Sequence, residues 1–286
     1  MKFRKKKGTL FIAAVIIAVV GTTSWAALHY RNKAVQEETM KDGTAPIADT
    51  AANQVPVYTP TPLDVQTPGK AEADITDRLI MKDGQRKAYL TFDDGPSENT
   101  EKILDILKQY DIKATFFVVG KNAQSHPELV KRIFEEGHAI GNHSYNHIYG
   151  YMYYSADCFK EEVEKTTEVV GSIIGAENVQ KLFRFPGGSF EASKEPYRQM
   201  LYEMGYSFVD WNALNGDADG KEYTYDRIVA MFKETAMKHE DAIVLMHDAT
   251  AKTLTPEALP ECIEYLANNG FTFEAIHIAN QEEGTA

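Results

Sequence analysis

The chain reads as an α/β domain built on a parallel sheet, open or closed into a barrel, and three observations predict it. Short apolar runs alternate with amphipathic stretches of helical period from about Arg86 to Ile278. Each amphipathic stretch is long enough to carry the chain back over a sheet, so successive strands are parallel with right-handed crossovers. About 190 residues are ample for one core, and neither an internal repeat nor a second domain is visible.

The elements follow in order. Ala88–Phe92 is a short β-favouring run that ends at Asp93-Asp94-Gly95-Pro96, and Ser97 caps a helix reaching Tyr110. Strands at Ala114–Val119 and Ala139–Asn142 enclose a helix at Pro127–Glu136, with Gly137 at its stop. Ser155 and Asp157 open a long helix to Ile174. Strands at Leu182–Phe185 and Ser207–Trp211 flank a helix at Lys194–Met204, which ends at Gly205. A helix at Tyr225–Lys238 leads to a strand at Ala242–Met246. Thr255-Pro256 then starts a helix to Asn268, and Phe271–Ala275 is the last strand.

Ahead of this domain, Lys2, Arg4, Lys5, Lys6 and Lys7 precede Gly8–Leu28, which carries no charge. A run of that length can cross a hydrocarbon core of about 30 Å. Residues 1–7 are therefore expected to be cytoplasmic and 8–28 to be a membrane anchor, with the rest outside. A signal peptide cleaved near Ser24-Trp25-Ala26 is the alternative, which would leave a secreted protein. Residues 29–79 are rich in Ala, Thr, Pro, Gln and Asp and are expected to be an extended, disordered linker. The folded domain is expected at 80–280, followed by a tail at 281–286.

The formal charge is −12. Seven basic residues and no acids lie before residue 34, so the remainder carries −19. So acidic a domain excludes nucleic acid and anionic lipid as partners. Cys158 and Cys262 fall in separate helical patterns, where buried free thiols are expected.

Parallel α/β folds place their chemistry past the carboxyl ends of the strands. Asp93 and Asp94 stand at the first such end, able to address one volume from different directions. His143 and His147, past the third, have the i, i+4 spacing that brings two imidazoles together on a helical turn. Two imidazoles and a carboxylate suit Zn²⁺, and also accept Co²⁺, Mn²⁺, Ni²⁺ or Fe²⁺. Arg184 with Gly187-Gly188, then Asp210-Trp211, then Leu245 and His247 follow at the next three ends. Taken singly, each has a structural explanation: Arg184 as a surface ion pair, Trp211 as core, His247 as a strand-end histidine. Together, at five strand ends, they point to one site. His29, His126, His138, His239 and His277 have no such setting.

Thr91-Phe92-Asp93-Asp94-Gly95, His143-Ser144-Tyr145-Asn146-His147, Arg184-Phe185-Pro186-Gly187-Gly188, Asp210-Trp211 and Leu245-Met246-His247 resemble the five ordered motifs of the polysaccharide deacetylases. That family is also known as carbohydrate esterase family 4, with the NodB-homology domain. The resemblance spans roughly residues 80–280. It implies a distorted (β/α)7 barrel related to the TIM barrel, and metal-dependent removal of acetyl groups from a glycan. The substrate it implies first is N-acetylglucosamine or N-acetylmuramic acid of peptidoglycan, with chitooligosaccharide or an exopolysaccharide as the alternative. It implies Asp93 as catalytic base, Asp94, His143 and His147 as ligands of one divalent ion, and Arg184 as the residue holding the base. It further implies Gly187 as a backbone oxyanion donor, Trp211 and Leu245 as walls of the acetate pocket, His247 as general acid, and Asp210 as the acid's partner. Gly187 departs from the Tyr often found there, and the Asp210-Trp211 motif is short. A silent glycan-binding module would have lost some of these residues, and none is missing. The protein is expected to be a monomer.

Overall fold

The structure, a computed structural model, describes residues 73–80 and 84–278. The elements run α1 (Thr76–Leu79), β1 (Arg86–Asp93), α2 (Glu98–Gln109), β2 (Thr115–Val118), α3 (Gly120–Ser125), α4 (Pro127–Glu135) and β3 (Ala139–Asn142). Then come α5 (Tyr149–Met152), α6 (Ala156–Ile174), β4 (Leu182–Phe183), α7 (Glu195–Glu203), β5 (Ser207–Phe208) and β6 (Ala213–Leu214). The last four are α8 (Tyr225–Ala236), β7 (Ala242–His247), α9 (Leu254–Asn268) and β8 (Phe271–Phe273).

The strands lie in the order β5-β4-β3-β2-β1-β7-β6, with β8 also on β1, and every pairing is parallel. The sheet curls into a partial barrel around β1. Strand periodicity then divides the side chains into two sets. Leu90, Phe92, Phe116, Val118, Val244 and Met246 belong to one buried cluster with Ile103, Leu107, Phe232 and Leu259 of the covering helices. Tyr89, Phe117, Leu182, Val209, Ile243 and Ile276 form a separate apolar cluster. On the same strand faces as Tyr89 and Ile243, nearer the carboxyl ends, stand Thr91 and Asp93, Leu245 and His247. The register pairs Asp93 with His247 on one side and with Phe117 on the other. A polar layer thus sits above an apolar one.

Four short elements escape the sequence pattern: α1, α3, α5 and β6, each too brief to show a period. The expected strands at 182–185 and 207–211 contain only two registered residues each. Ser97 caps α2, accepting from Asn99 N at 3.0 Å, and Ser155 caps α6 by accepting from Cys158 N at 3.2 Å. Thr255 does not cap α9, which begins one residue earlier; its hydroxyl donates instead to Asp217 at 2.8 Å. Cys262 is buried and Cys158 half-buried, and neither forms a disulfide.

The expected linker, 29–79, is corrected at its end. Ala73 and Ile75 are buried, Ile75 N donates to Phe208 O at 3.0 Å, and Asp210 N donates to Thr76 Oγ1 at 3.0 Å. Residues 73–79 therefore belong to the folded domain, because they carry the apolar side chains that cover β5. The expected anchor, 8–28, and the rest of the linker lie outside the described residues. Among the described residues no helix is long and apolar enough to cross a membrane.

Candidate active site

Asp94 leaves β1 in the left-handed region, at φ 77°. Ser144 (φ 68°) and His147 (φ 57°) share that conformation, which costs a non-glycine residue energy and is concentrated at functional sites. The two histidines do not lie on a helical turn as their spacing suggested. Residues 143–147 form an irregular loop, and the left-handed residues fold it back so that the imidazole centroids are 5.0 Å apart. Side-chain acceptors hold the loop: Glu162 takes the N–H groups of Tyr145 (2.9 Å) and Asn146 (2.8 Å), and Asn142 Oδ1 takes that of Ser144 (3.0 Å). Ser144 Oγ in turn accepts from His147 N at 3.1 Å.

The two imidazoles converge on one oxygen. His143 Nε2 lies 3.5 Å and His147 Nε2 3.2 Å from Asp94 Oδ1, and the three ligand atoms are within 4.8 Å of one another. Asp94 Oδ1 is buried and has no hydrogen-bond partner. Such an orphan is costly unless a cation completes it. His143 Nδ1 donates to Arg184 O at 2.9 Å, which leaves the Nε2 lone pair facing Asp94. Burial, followed by the neighbouring His147, drives the His143 pKa down to about 3, so the imidazole is neutral as a ligand must be. The donor set fits a divalent ion.

Asp93 Oδ2 lies 3.7 Å from His143 Nε2, while its Oδ1 accepts from Arg184 at 3.0 Å. Arg184 is no surface residue. It is wholly buried, rests on Phe117 (4.1 Å to the ring centroid), and donates to Thr91 Oγ1 (2.5 Å), Val209 O (3.2 Å) and Asp210 O (3.1 Å). Burial raises the Asp93 pKa against the opposing pull of Arg184 and His247, and the rise prevails. Gly95 is glycine because the Asp248 carboxylate fills the space in which a side chain would sit. Asp248 N donates to Asp93 O at 3.0 Å, and Thr100 Oγ1 donates to Asp248 Oδ2 at 2.5 Å.

Asp210 is not the partner of His247. Its carboxylate accepts from Ser189 N at 2.9 Å and from Ser189 Oγ at 2.5 Å, tying β5 to the glycine loop. His247 is held by Asp217: Nδ1 donates to Oδ1 at 2.7 Å, and the backbone N to Oδ2 at 2.9 Å. Asp217 follows β6 in Asn215-Gly216-Asp217, and β6 lies beside β7. The missed signal was that Asn-Gly-Asp turn, hidden because a two-residue strand has no period. Burial would push the His247 proton off, but the hydrogen bond and charge of Asp217, helped by Asp94 and Asp93, hold its pKa up at about 9. Asp217 is correspondingly lowered: burial opposes the change, and His247 and Thr255 outweigh it.

Gly187 and Gly188 both take positive φ, 75° and 77°. Lys194, also overlooked in the sequence, is buried and donates to Pro186 O (3.0 Å) and Gly188 O (2.5 Å), pinning this loop. Trp211 stands beyond it, edge-on to the exposed Phe190 at 5.3 Å. Leu245, half-buried like His247, faces the same side of β7. The structure thus gathers Asp93, Asp94, His143, His147, Arg184 and His247, places Gly187, Trp211 and Leu245 on the adjoining segments, and sets the Asp210 carboxylate apart.

Acids, imidazoles and a buried guanidinium at the mouth of a parallel α/β barrel define a hydrolase of the metal-dependent class. A family model described as polysaccharide deacetylase matches residues 81–209. A peptidoglycan-N-acetylglucosamine deacetylase of Bacillus cereus is 34% identical over 196 residues, 68% of this chain and 70% of the relative. Peptidoglycan-N-acetylmuramic acid deacetylase PdaA of Bacillus subtilis is 35% identical over 199 residues, 67% of this chain and 70% of the relative. The solved structure of a Streptococcus mutans CE4 esterase superimposes with TM-score 0.64 at 34% identity, covering 70% of this chain and 89% of that one. The chain belongs to the polysaccharide deacetylase family.

Proposed function

We propose that the protein removes N-acetyl groups from peptidoglycan, at N-acetylglucosamine or N-acetylmuramic acid, with one divalent ion held by Asp94, His143 and His147. Zn²⁺ is the ion that the two-imidazole, one-carboxylate set suits best. The observation that carries this reading is the orphaned Asp94 Oδ1 facing the Nε2 atoms of His143 and His147 beside the Asp93–Arg184 pair. When bound, the ion supplies Lewis acidity toward the acetamide carbonyl and its water. Asp93, oriented by Arg184, takes the proton of the attacking water. The Gly187 N–H donates to the developing oxyanion. His247, kept charged by Asp217, protonates the departing amine, which is otherwise a poor leaving group. Trp211 and Leu245 enclose the acetyl methyl.

The relatives named for peptidoglycan support the substrate class, and an acidic domain suits an uncharged acetamido sugar better than a polyanion. The basic cluster and apolar run of residues 2–28 support a placement outside the cell, tethered to the membrane with the N-terminus cytoplasmic. Mass spectrometry of defined peptidoglycan and chitin oligomers after incubation with the protein tests the proposal. Loss of acetyl groups from peptidoglycan oligomers is expected; deacetylation of chitin oligomers alone would redirect the substrate, and no loss from any oligomer would sink the activity.

A further inference from the structure

Gly187 has no side chain, and the space in front of it is filled from another element. A methyl group built on Gly187 would lie 3.0 Å from Cε1 and 3.1 Å from the hydroxyl oxygen of Tyr149. Tyr149 opens α5 two residues after His147, and its ring stands edge-on to that imidazole at 5.4 Å and 86°. Tyr153 backs it at 6.0 Å, and the Tyr153 hydroxyl donates to Pro186 O at 2.9 Å. The start of α5 and the Gly187 loop are thereby fixed to one another, with the Tyr149 phenol between a ligand histidine and the glycine backbone.

The hydroxyls of four nearby tyrosines are committed, and Tyr154 is exposed at the solvent-accessible surface. Tyr145 donates to Gln124 (2.8 Å), Tyr151 to Glu161 (2.6 Å), Tyr153 to Pro186 O, and Tyr197 to Tyr153 O (2.8 Å). The Tyr149 hydroxyl has no such acceptor among the described residues, although it stands beside the Gly187 loop and the ligand histidine rather than on the outer face of α5. A phenol packed against His147, Tyr153 and the Gly187 loop, its remaining face open and its donor unused, is suited to a group that arrives with the substrate.

We propose that Tyr149 is a substrate-contacting residue: its hydroxyl donates a hydrogen bond to the acetamido sugar bound over Asp94, His143 and His147, from the position that a side chain at residue 187 would otherwise occupy. This rests on the deacetylase reading, and the test separates the two.

Tyr149→Phe keeps the ring against His147 and Tyr153 and removes only the donor. Ile148→Ala, at an exposed neighbour outside the site, serves as the control. Turnover of acetylated peptidoglycan oligomers, their binding by calorimetry, and bound zinc are measured for wild type and both variants. Loss of one donor to the sugar is expected to lower kcat/KM, or oligomer affinity, about tenfold in Tyr149→Phe. Zinc content stays at the wild-type level, and Ile148→Ala stays within about twofold. Oligomer binding without hydrolysis by wild type would sink the deacetylase reading alone, since a tenfold affinity loss in Tyr149→Phe would still support the contact. Wild-type kcat/KM and affinity in Tyr149→Phe would overturn the Tyr149 assignment, as would loss of zinc together with activity, or failure of wild type to bind any oligomer.

Discussion

Burial alone would drive the proton off His247, and the Asp217 carboxylate reverses this to hold the imidazolium up to about pH 9. An unperturbed histidine titrates near 6.5. A folded pKa above the unfolded one gives stability that is fully present below about pH 6.5 and is lost as pH rises through about 9. In the proposed reaction the same proton is the one the departing amine requires. The alkaline limb of activity is therefore expected near pH 9 in the wild type. In Asp217→Asn it should fall toward 6.5, and the decline in melting temperature over this interval should flatten. A pH–rate profile and melting curves on both proteins measure this. An unmoved limb in Asp217→Asn would mean that another group donates the proton.

Loops, more than strands, aim the site. β1, β2, β3 and β7 were legible because each is a continuous apolar run buried on both faces, as parallel strands are. Asp93, Asp94, His143, His147 and His247 were legible because the ends of such strands are where chemistry collects. What was not legible depends on contacts distant in sequence. Asp210 and Asp217 both follow short strands, and only the fold decides that the first meets Ser189 and the second His247. Lys194 and Glu162 fall within helical stretches with nothing in the sequence to mark them, yet both are buried and hold loop backbone. The glycine loop is equally a matter of packing. A methyl group on Gly188 would collide with the Phe190 ring and lie 3.0 Å from Trp211, at a backbone angle that disfavours any side chain. Gly188→Ala is expected to displace Phe190 and cost roughly 1–3 kcal/mol. The fluorescence of Trp211 reads the displacement cleanly in a chain beginning at residue 73, since the other tryptophan is Trp25. An unchanged spectrum and melting point would show that Phe190 yields freely.

At the scale of the molecule, the folded domain begins before the first strand. Ala73, Ile75 and Thr76 cover β5 and bind the backbone of Phe208 and Asp210, next to the glycine loop. A chain starting at residue 73 is expected to match the full chain in turnover of short oligomers. One starting at residue 81 exposes the Ile75 side of the apolar cluster and should melt several degrees lower, the consequence of losing about 1–3 kcal/mol of buried apolar surface. Equal melting points would place the domain boundary after α1.

Metal dependence through three named ligands is what joins the left-handed loops, the orphaned oxygen and the family's chemistry into one account. The direct measurement is to strip the protein with a chelator, add zinc stepwise, and follow acetyl loss from peptidoglycan oligomers by mass spectrometry alongside bound zinc. The stripped protein should be inactive and regain full activity at one zinc per chain. Asp93→Asn should bind zinc but turn over about 10²–10⁴-fold more slowly, and Asp94→Asn should fail to bind it. Full activity in the stripped protein, or wild-type zinc binding in Asp94→Asn, would contradict the account.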